Sequence, residues 1–568
     1  MPLPLKTPPG TIQAYFANSL TDAWRLALPA IIIVPYNDSW NDFRYRLRAK
    51  LMLLTKQDDI ELEADMRLLF QDIDDTTSFL NTLFKQRGSI VPVGKSDRLF
   101  CSILTKADSY KDLVSALTLS EAIFGLSQIG DAVVLQAKGE SDSRLELSRS
   151  RPFHLGALRQ RSAYFSWRRA KRHLRSVSSP SIDDAAQNFS IKAHLPGLTA
   201  AHEVDFNFQN DELLRGRISV LIGKNGTGKT QLLLALIRAT LQQPSENLIP
   251  GALTKAQITP DITFNSLLVF SSVSSDRYPE AIPPWQGGID YNYFSLVDRN
   301  KPPQDQLEDP LTASLIDIIR NDETFEAPDD SGRKITRVKL LQDALAAFTK
   351  PAEIHIPLKQ PTPGTIRSTT VSGKKYASLS ALSGEQRILE TIQHVDWTCP
   401  PVIIKDGTPR HLSSGQTALL RFALQAIGAI QQGSLILMDE PETHLHPNFI
   451  SVLVDILHTI LEATGSCAII ATHSAYIVRE VPRSRVRIIN IKDDSPETTQ
   501  PRLQTFGSSI DSISQFVFGD SEIRHLHEKL LEKWLSHEPT IEAILEKHGK
   551  TLNPESLSYI HSIMKNNQ

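Results

Sequence analysis

The run from Arg217 to Ile237 restricts the possible fold of this chain more than any other stretch. A β-branched apolar segment, Ile218-Ser219-Val220-Leu221-Ile222, leads into Gly223-Lys224-Asn225-Gly226-Thr227-Gly228-Lys229-Thr230. A leucine-rich helical pattern, Gln231 to Ile237, follows. Strand, glycine loop and helix in that order is what a phosphate-cradling P-loop requires. The loop turns consecutive backbone N–H groups inward on a phosphate, and the helix N-terminus adds its positive end. In this reading Lys229 reaches the β- and γ-phosphates of ATP, and Thr230 ligates Mg2+.

A chain of 568 residues is too long for one ordinary core and predicts roughly two to four domains. Its net charge of -3 argues against a partner held by overall charge, so any nucleic-acid surface must be local. Cys101, Cys399 and Cys467 are far apart and form no C-x-x-C pair, which excludes a disulfide framework or zinc hook. The apolar stretch from Ala27 to Val34 is too short to span a bilayer and lacks signal-peptide flanks. The expectation is a cytoplasmic protein without a membrane partner.

Residues 1–140 read as an α+β accessory domain. Ala30-Ile31-Ile32-Ile33-Val34 predicts a buried strand, and Phe43 to Leu51 alternates apolar with basic like a half-exposed one. Helical patterns are expected at Glu61–Phe70 and Tyr110–Phe124. Residues 141–187 form a basic, aromatic segment and linker. Between Arg144 and Arg175, Arg149, Arg151, Arg159, Arg161, Arg168, Arg169, Lys171 and Arg172 are interleaved with Tyr164, Phe165 and Trp167. That composition suits phosphates and stacked bases, and equally a basic face docked on an acidic domain of the same chain. The Ser, Pro and Asp content of Ser176–Ala186 marks a boundary.

An ATPase domain is expected over residues 188–515, with 275–400 as a helical lobe or insertion and 516–568 as a helical tail. Leu412-Ser413-Ser414-Gly415-Gln416 stands before a helical run in which Leu420, Leu424, Ile427 and Ile430 share a face. Leu382-Ser383-Gly384-Glu385-Gln386 looks similar but stands farther from the next motif. That motif, Ser434 to Pro447, is a buried strand ending in Asp439 and Glu440, where an open α/β sheet places ligand groups. Asp439 is assigned to Mg2+, and Glu440 to orienting or deprotonating the attacking water. His444 and His446 lack ligand-spaced acidic or cysteine partners, so a subunit contact suits them better than a metal. The strand Cys467 to Thr472 ends at His473.

These motifs, in this order, resemble the ABC-type ATPases, with a mixed sheet and helical lobe; Glu-Thr-His-Leu-His-Pro after Glu440 is similar to their RecF, SMC and overcoming-lysogeny-defect relatives. The resemblance implies ATP held between two subunits of a homodimer or larger homo-oligomer. One subunit supplies Lys229, Thr230, Asp439, Glu440 and the switch histidine His473, and the other supplies Ser413, Ser414, Gly415 and Gln416. No glutamine follows Phe270 as that family's Q-loop requires; Ser271, Ser272 or Gln286 could take its place. Leu268 to Ser272, Ser275-Asp276-Arg277-Tyr278 and Tyr291 to Phe294 resemble ATPases of bacterial anti-phage systems of the Septu and retron-associated type, and Trp40 to Tyr45 is similar to their accessory domain. That implies an ATP-dependent regulator of a separate HNH-type effector nuclease. It also implies docking on a reverse transcriptase and retron RNA–DNA, with Arg144–Arg175 as the candidate surface. Asp493 and Asp494 read as a loop pair and Ile523 to Trp534 as an amphipathic helix, so no nuclease of its own is expected. The alternative reading is a RecF- or SMC-like DNA-repair ATPase acting directly on DNA.

Overall fold

The computed structural model describes residues 12–36, 45–56, 59–138, 142–150, 152–158, 160–175, 188–208, 217–241, 256–260, 264–272, 278–280, 282, 289–296, 309–321, 323–327, 332–379, 391–392, 394–443, 445–518 and 526–537, with shorter pieces up to 563. Trp40–Arg44, Ser275–Arg277, Gln286, Leu382–Gln386 and His444 lie outside these residues.

The N-terminal part is a six-stranded sheet of β1 (Gln13–Ala17), β2 (Ala30–Pro35), β3 (Arg48–Leu54), β4 (Leu62–Phe70), β5 (Ile90–Pro92) and β6 (Phe100–Leu104). Its order is β5-β1-β2-β3-β4-β6, with only β1 and β2 parallel. One face carries Ile31, Ile33, Leu51 and Leu53 into a core completed by helices, among them Leu80 and Leu83 of Thr76–Arg87 and Tyr110 and Leu113 of Asp108–Ala116. The helix expected at Glu61–Phe70 is instead β4. Ladders to β3 and β6 on both sides, with Ala64, Met66 and Leu68 pointing into the core, override its local helical spacing. The pattern at Tyr110–Phe124 is two helices, Asp108–Ala116 and Leu119–Gln128, restarted by a capping box between Thr118 and Glu121.

Within its described residues, the basic segment packs against the N-terminal sheet. Phe153, Leu158, Tyr164, Trp167, Ala170 and Leu174 are buried in the N-terminal core, which therefore runs past the expected limit at residue 140. Five of its cations face this chain's own acceptors. Arg144 Nη2 lies 2.7 Å from Asp142, Arg168 Nε donates to Asp317 at 2.7 Å, and Lys171 Nζ lies 3.2 Å from Asp290. Arg172 pairs with Glu323 at 2.7 Å, and Arg175 donates to the Asn265 carbonyl at 3.3 Å. The Tyr164 hydroxyl donates to Asp317, and the Arg320 guanidinium sits 3.8 Å from the Tyr164 ring centroid. Asp290, Asp317 and Glu323 stand more than a hundred residues downstream of the cations they meet, out of reach of a local reading. Arg151 and Arg159 lie outside the described residues.

The second part is built on a seven-stranded sheet. Its strands are β9 (Ile218–Gly223), β11 (Ser266–Ser271), β12 (Asp290–Ser295), β20 (Leu435–Asp439), β21 (Cys467–Thr472), β22 (Val486–Lys492) and β23 (Ser495–Thr499), ordered β12-β11-β20-β21-β9-β22-β23. All pair in parallel except the edge strand β23. Buried on both faces, the strands read as continuous apolar runs whose side chains alternate between two cores. Ile218, Val220, Ile222, Leu268, Phe270, Ile436 and Met438 face a helical lobe; Leu221, Leu267, Val269, Leu437 and Ile469 face the helix Lys229–Thr240. That second side is closed by the three-stranded antiparallel sheet of β7 (Phe189–Ala193), β8 (His202–Phe206) and β10 (Ala256–Thr259).

The lobe packs the helices Pro310–Arg320, Arg337–Leu345, Ser414–Ala429 and Pro447–Thr464 into one core. The described residues of 275–400 are less helical than expected. Besides the hairpin of β13 (Thr324–Glu326) and β14 (Lys334–Thr336), they contribute to a five-stranded antiparallel sheet. Its strands are β15 (Ile354–Leu358), β16 (Thr369–Val371), β17 (Lys374–Ser378), β18 (Val402–Lys405) and β19 (Thr408–Arg410), ordered β16-β17-β15-β18-β19. Its strands are short and carry Pro357 and Pro409, which weakened their signal in the sequence. Toward the C-terminus lie the helices Ile510–Phe518 and Leu526–His537.

Candidate functional site

Parallel pairing brings the ends of β9, β20 and β21 together at one edge of the sheet, the position where open α/β sheets hold ligands. Asn225, Gly226, Gly228, Lys229, Thr230, Gln231, Glu440 and His473 line a cavity of about 340 Å3 there. Gly228 caps the helix Lys229–Thr240 in the left-handed region at φ 86°, and a Cβ on it would lie 2.9 Å from Leu195. The Thr227 hydroxyl ties the loop back to the Lys224 carbonyl at 2.9 Å. Lys229 is 5% exposed; its ammonium donates to the carbonyls of Gly223 at 2.8 Å and Lys224 at 3.1 Å. Burial lowers its pKa, against the pull of Glu440, Asp439 and Glu442.

Asp439 is fully buried at the end of β20. Desolvation pushes its carboxyl up to about 6, against hydrogen bonds from the Tyr278 and Thr230 side chains. Tyr278 donates to Oδ2 at 2.8 Å, whereas Oδ1 is buried with no hydrogen-bond partner. An orphaned carboxylate oxygen is costly unless it serves a ligand. Together with the Thr230 hydroxyl it fits Mg2+, which takes one or two carboxylates plus phosphate oxygens and water.

Glu440 adopts φ 50°, a left-handed conformation rare for a residue other than glycine. That turn brings its Oε1 to 2.8 Å from His473 Nε2. Glu442 supports the same group from the other side: its Oε1 accepts from the Thr472 hydroxyl at 2.5 Å and from the His473 backbone N–H at 2.9 Å. Sequence reasoning left Glu442 and Tyr278 without roles. A second acid two residues past a strand-end pair was the signal for Glu442; Tyr278 reaches Asp439 across 161 residues and gave none.

The motif Ser413–Gln416 folds as expected, though away from this cavity. The Ser413 hydroxyl accepts from the Gln416 N–H at 3.3 Å, and the Gln416 side chain accepts from the Ser413 N–H at 3.0 Å, a capping box opening the helix Ser414–Ala429. Gly415 lets the Phe449 ring close on that turn, since a Cβ would lie 2.5 Å from it. Ser414 lines a different groove, of about 400 Å3, with Ser272, Pro441, Thr443 and Leu445. Of the Q-loop candidates, Ser271 pairs with Asp439 across the ladder, and the Ser272 N–H donates to the Asp439 carbonyl at 3.1 Å. His446 caps the helix Pro447–Thr464, its Nδ1 accepting from the Asn448 N–H.

Sheet order, phosphate loop, buried aspartate and the Glu440–His473 pair form a P-loop nucleotide site on a mixed α/β fold. Residues 405–479 match the family model described as "AAA domain, putative AbiEii toxin, Type IV TA system". The chain is 25% identical over 404 residues to Protein ea59 of Escherichia phage lambda, a match covering 68% of this chain and 70% of that protein. Among solved structures it is similar to the SMC head bound to the C-winged helix domain of ScpA, with 12% identity, TM-score 0.25, and coverage of 55% of this chain and 96% of that one. The SMC head domain from Thermotoga maritima matches at 11% identity and TM-score 0.23, covering 56% of this chain and 99% of that one.

Proposed function

We propose that this chain is an ATP-hydrolysing switch that works as a homodimer and controls a separate effector in an anti-phage defence module. The observation that carries the reading is the 2.8 Å approach of His473 Nε2 to Glu440 Oε1, beside a buried Lys229 and an Asp439 with one oxygen free. Bound between Thr230 and Asp439, Mg2+ would neutralise charge on the β- and γ-phosphate oxygens. Lys229 and the loop N–H groups hold the phosphates, Glu440 accepts a hydrogen bond from the attacking water, and His473, fixed by Glu442, orients that pair.

The dimer is supported by placement: Ser413–Gln416 opens a helix N-terminus suited to a phosphate, yet none of these residues lines the cavity of its own Lys229. A second subunit supplies them, so hydrolysis remodels the dimer and with it the effector's state. The defence role draws on the resemblance to Septu and retron-associated ATPases, and on the description of the matched family as a putative toxin of a type IV toxin–antitoxin system. An HNH-type nuclease is the proposed effector, and a reverse transcriptase with its RNA–DNA product a further partner.

The test is affinity purification of the Glu440→Gln form from its host with ATP and Mg2+, identifying every co-purifying protein and nucleic acid. A nuclease-like or otherwise toxic subunit supports the reading. DNA alone on a bare ATPase dimer overturns it in favour of a repair ATPase.

A further inference from the structure

A cavity of about 320 Å3 lies where the accessory part meets the edge of the seven-stranded sheet, and among the described residues it shares no lining with the cavity around Lys229. Tyr164 and Trp167 line it from the accessory part; Tyr293 and Phe294 of β12 and the helix Ser414–Ala429 line it from the other. Small-molecule sites run from about 300 to 1,000 Å3 and are mostly apolar with a few polar groups, so this one is of a size for a compact ligand.

Two polar atoms in this lining are buried without a hydrogen-bond partner among the described residues: Gln425 Oε1 on the helix and Asn292 Nδ2 on β12. The Asn292 amide is fixed in its sense, because its Oδ1 accepts from Lys171 at 3.0 Å and turning it over would set two donors against each other. Buried polar groups left unpaired are costly, and these two ask for opposite partners, a donor for Gln425 and an acceptor for Asn292. Gly428, three residues on from Gln425 and so on the same helix face, keeps the space open. A Cβ there would meet no heavy atom within 4 Å. Glycine inside a helix costs stability relative to alanine, and here neither a left-handed φ nor a close neighbour requires it.

The cations of the lining already have company. Arg168 meets Asp317, Lys171 meets Asp290 and Arg172 meets Glu323, while Arg320 lies over the Tyr164 ring and donates to the Leu158 carbonyl at 2.7 Å. An uncharged ligand therefore suits the cavity better than an anion.

We propose that the junction cavity binds the uncharged base of a nucleoside. A nucleobase supplies a flat ring for the aromatic lining, and its edge carries both a donor and an acceptor for Gln425 Oε1 and Asn292 Nδ2. Its occupant touches both parts of the chain at once.

The test is isothermal titration calorimetry of the full chain, free of nucleotide, against adenosine, guanosine, cytidine and uridine in turn. The expected result is binding of at least one. Excess tripolyphosphate with Mg2+, which offers a phosphate loop its phosphates but no base, should leave that binding in place. Gln425→Met keeps the length of the side chain and drops the acceptor, and should weaken affinity about threefold to tenfold, the span of one neutral hydrogen bond. Gly428→Phe, which fills the space, should abolish binding. No binding of any of the four by the wild type, displacement by tripolyphosphate, or unaltered affinity in both variants overturns the proposal. Because the nucleosides carry no phosphate, neither result bears on the ATPase reading.

Discussion

His473 Nε2 lies 2.8 Å from Glu440 Oε1, and the same histidine's backbone N–H is held at 2.9 Å by Glu442. Glu440→Gln is expected to retain ATP binding and lower turnover about 10²–10⁴-fold, the usual span for a lost general base. Glu442→Gln, which weakens the support without touching the water, should lower kcat less and leave KM nearly unchanged. Steady-state ATPase assays separate the two; equal losses in both variants would argue against the division of roles.

Lys229→Ala removes the buried cation that faces Asp439 and Glu440 across the cavity. Loss of a charge-assisted contact of this kind costs roughly 1.5–3 kcal/mol, so nucleotide affinity should fall about tenfold or more. Titration with a fluorescent ATP analogue reads this directly, and unchanged affinity would remove Lys229 from the phosphate site.

Tyr278→Phe leaves Asp439 without its 2.8 Å donor. Loss of a hydrogen bond that favours the ionised carboxylate should raise the Mg2+ concentration needed for half-maximal nucleotide binding several-fold, while binding without Mg2+ stays as it was.

Asp131 is fully buried, accepts from the Tyr110 hydroxyl at 2.7 Å, and has its carboxyl raised by burial to about 7. Between the ordinary carboxylate range near 4 and pH 7 the unfolded chain ionises first, so the native state binds more protons there and stability falls as pH rises. The whole effect is on the order of 2–4 kcal/mol and flattens above pH 7. Urea unfolding of wild type and Asp131→Asn at pH 5 and pH 8 isolates it: the difference between them should change with pH in this sense.

Asp317 receives both Tyr164 and Arg168 at the junction of the two parts. Asp317→Ala strands a buried tyrosine hydroxyl and is expected to cost about 1–3 kcal/mol. A lowered Tm would report the weakened junction; an unchanged Tm would show that its apolar contacts suffice.

The site was more legible in the sequence than the fold around it. The P-loop, Asp439–Glu440 and His473 each depend on a strand end and the turn after it, so neighbouring residues disclose them. Tyr278 and the partners of Arg168, Lys171 and Arg172 depend on contacts across more than a hundred residues, which no local pattern encodes. β4 shows the same limit: its spacing allows a helix, and only the ladders on either side make it a strand.

The junction also bears on how such a chain can diversify. Asp290, Asp317 and Glu323 belong to the second half, and each takes a cation from the accessory half, Glu323 dividing its oxygens between Arg172 and Arg337 of its own half. Recombination that exchanged only the first 175 residues with those of a distant relative would leave three carboxylates facing strangers. The two halves are therefore constrained to drift together, and a substitution at Asp317 should be accompanied in descendants by one at Tyr164 or Arg168.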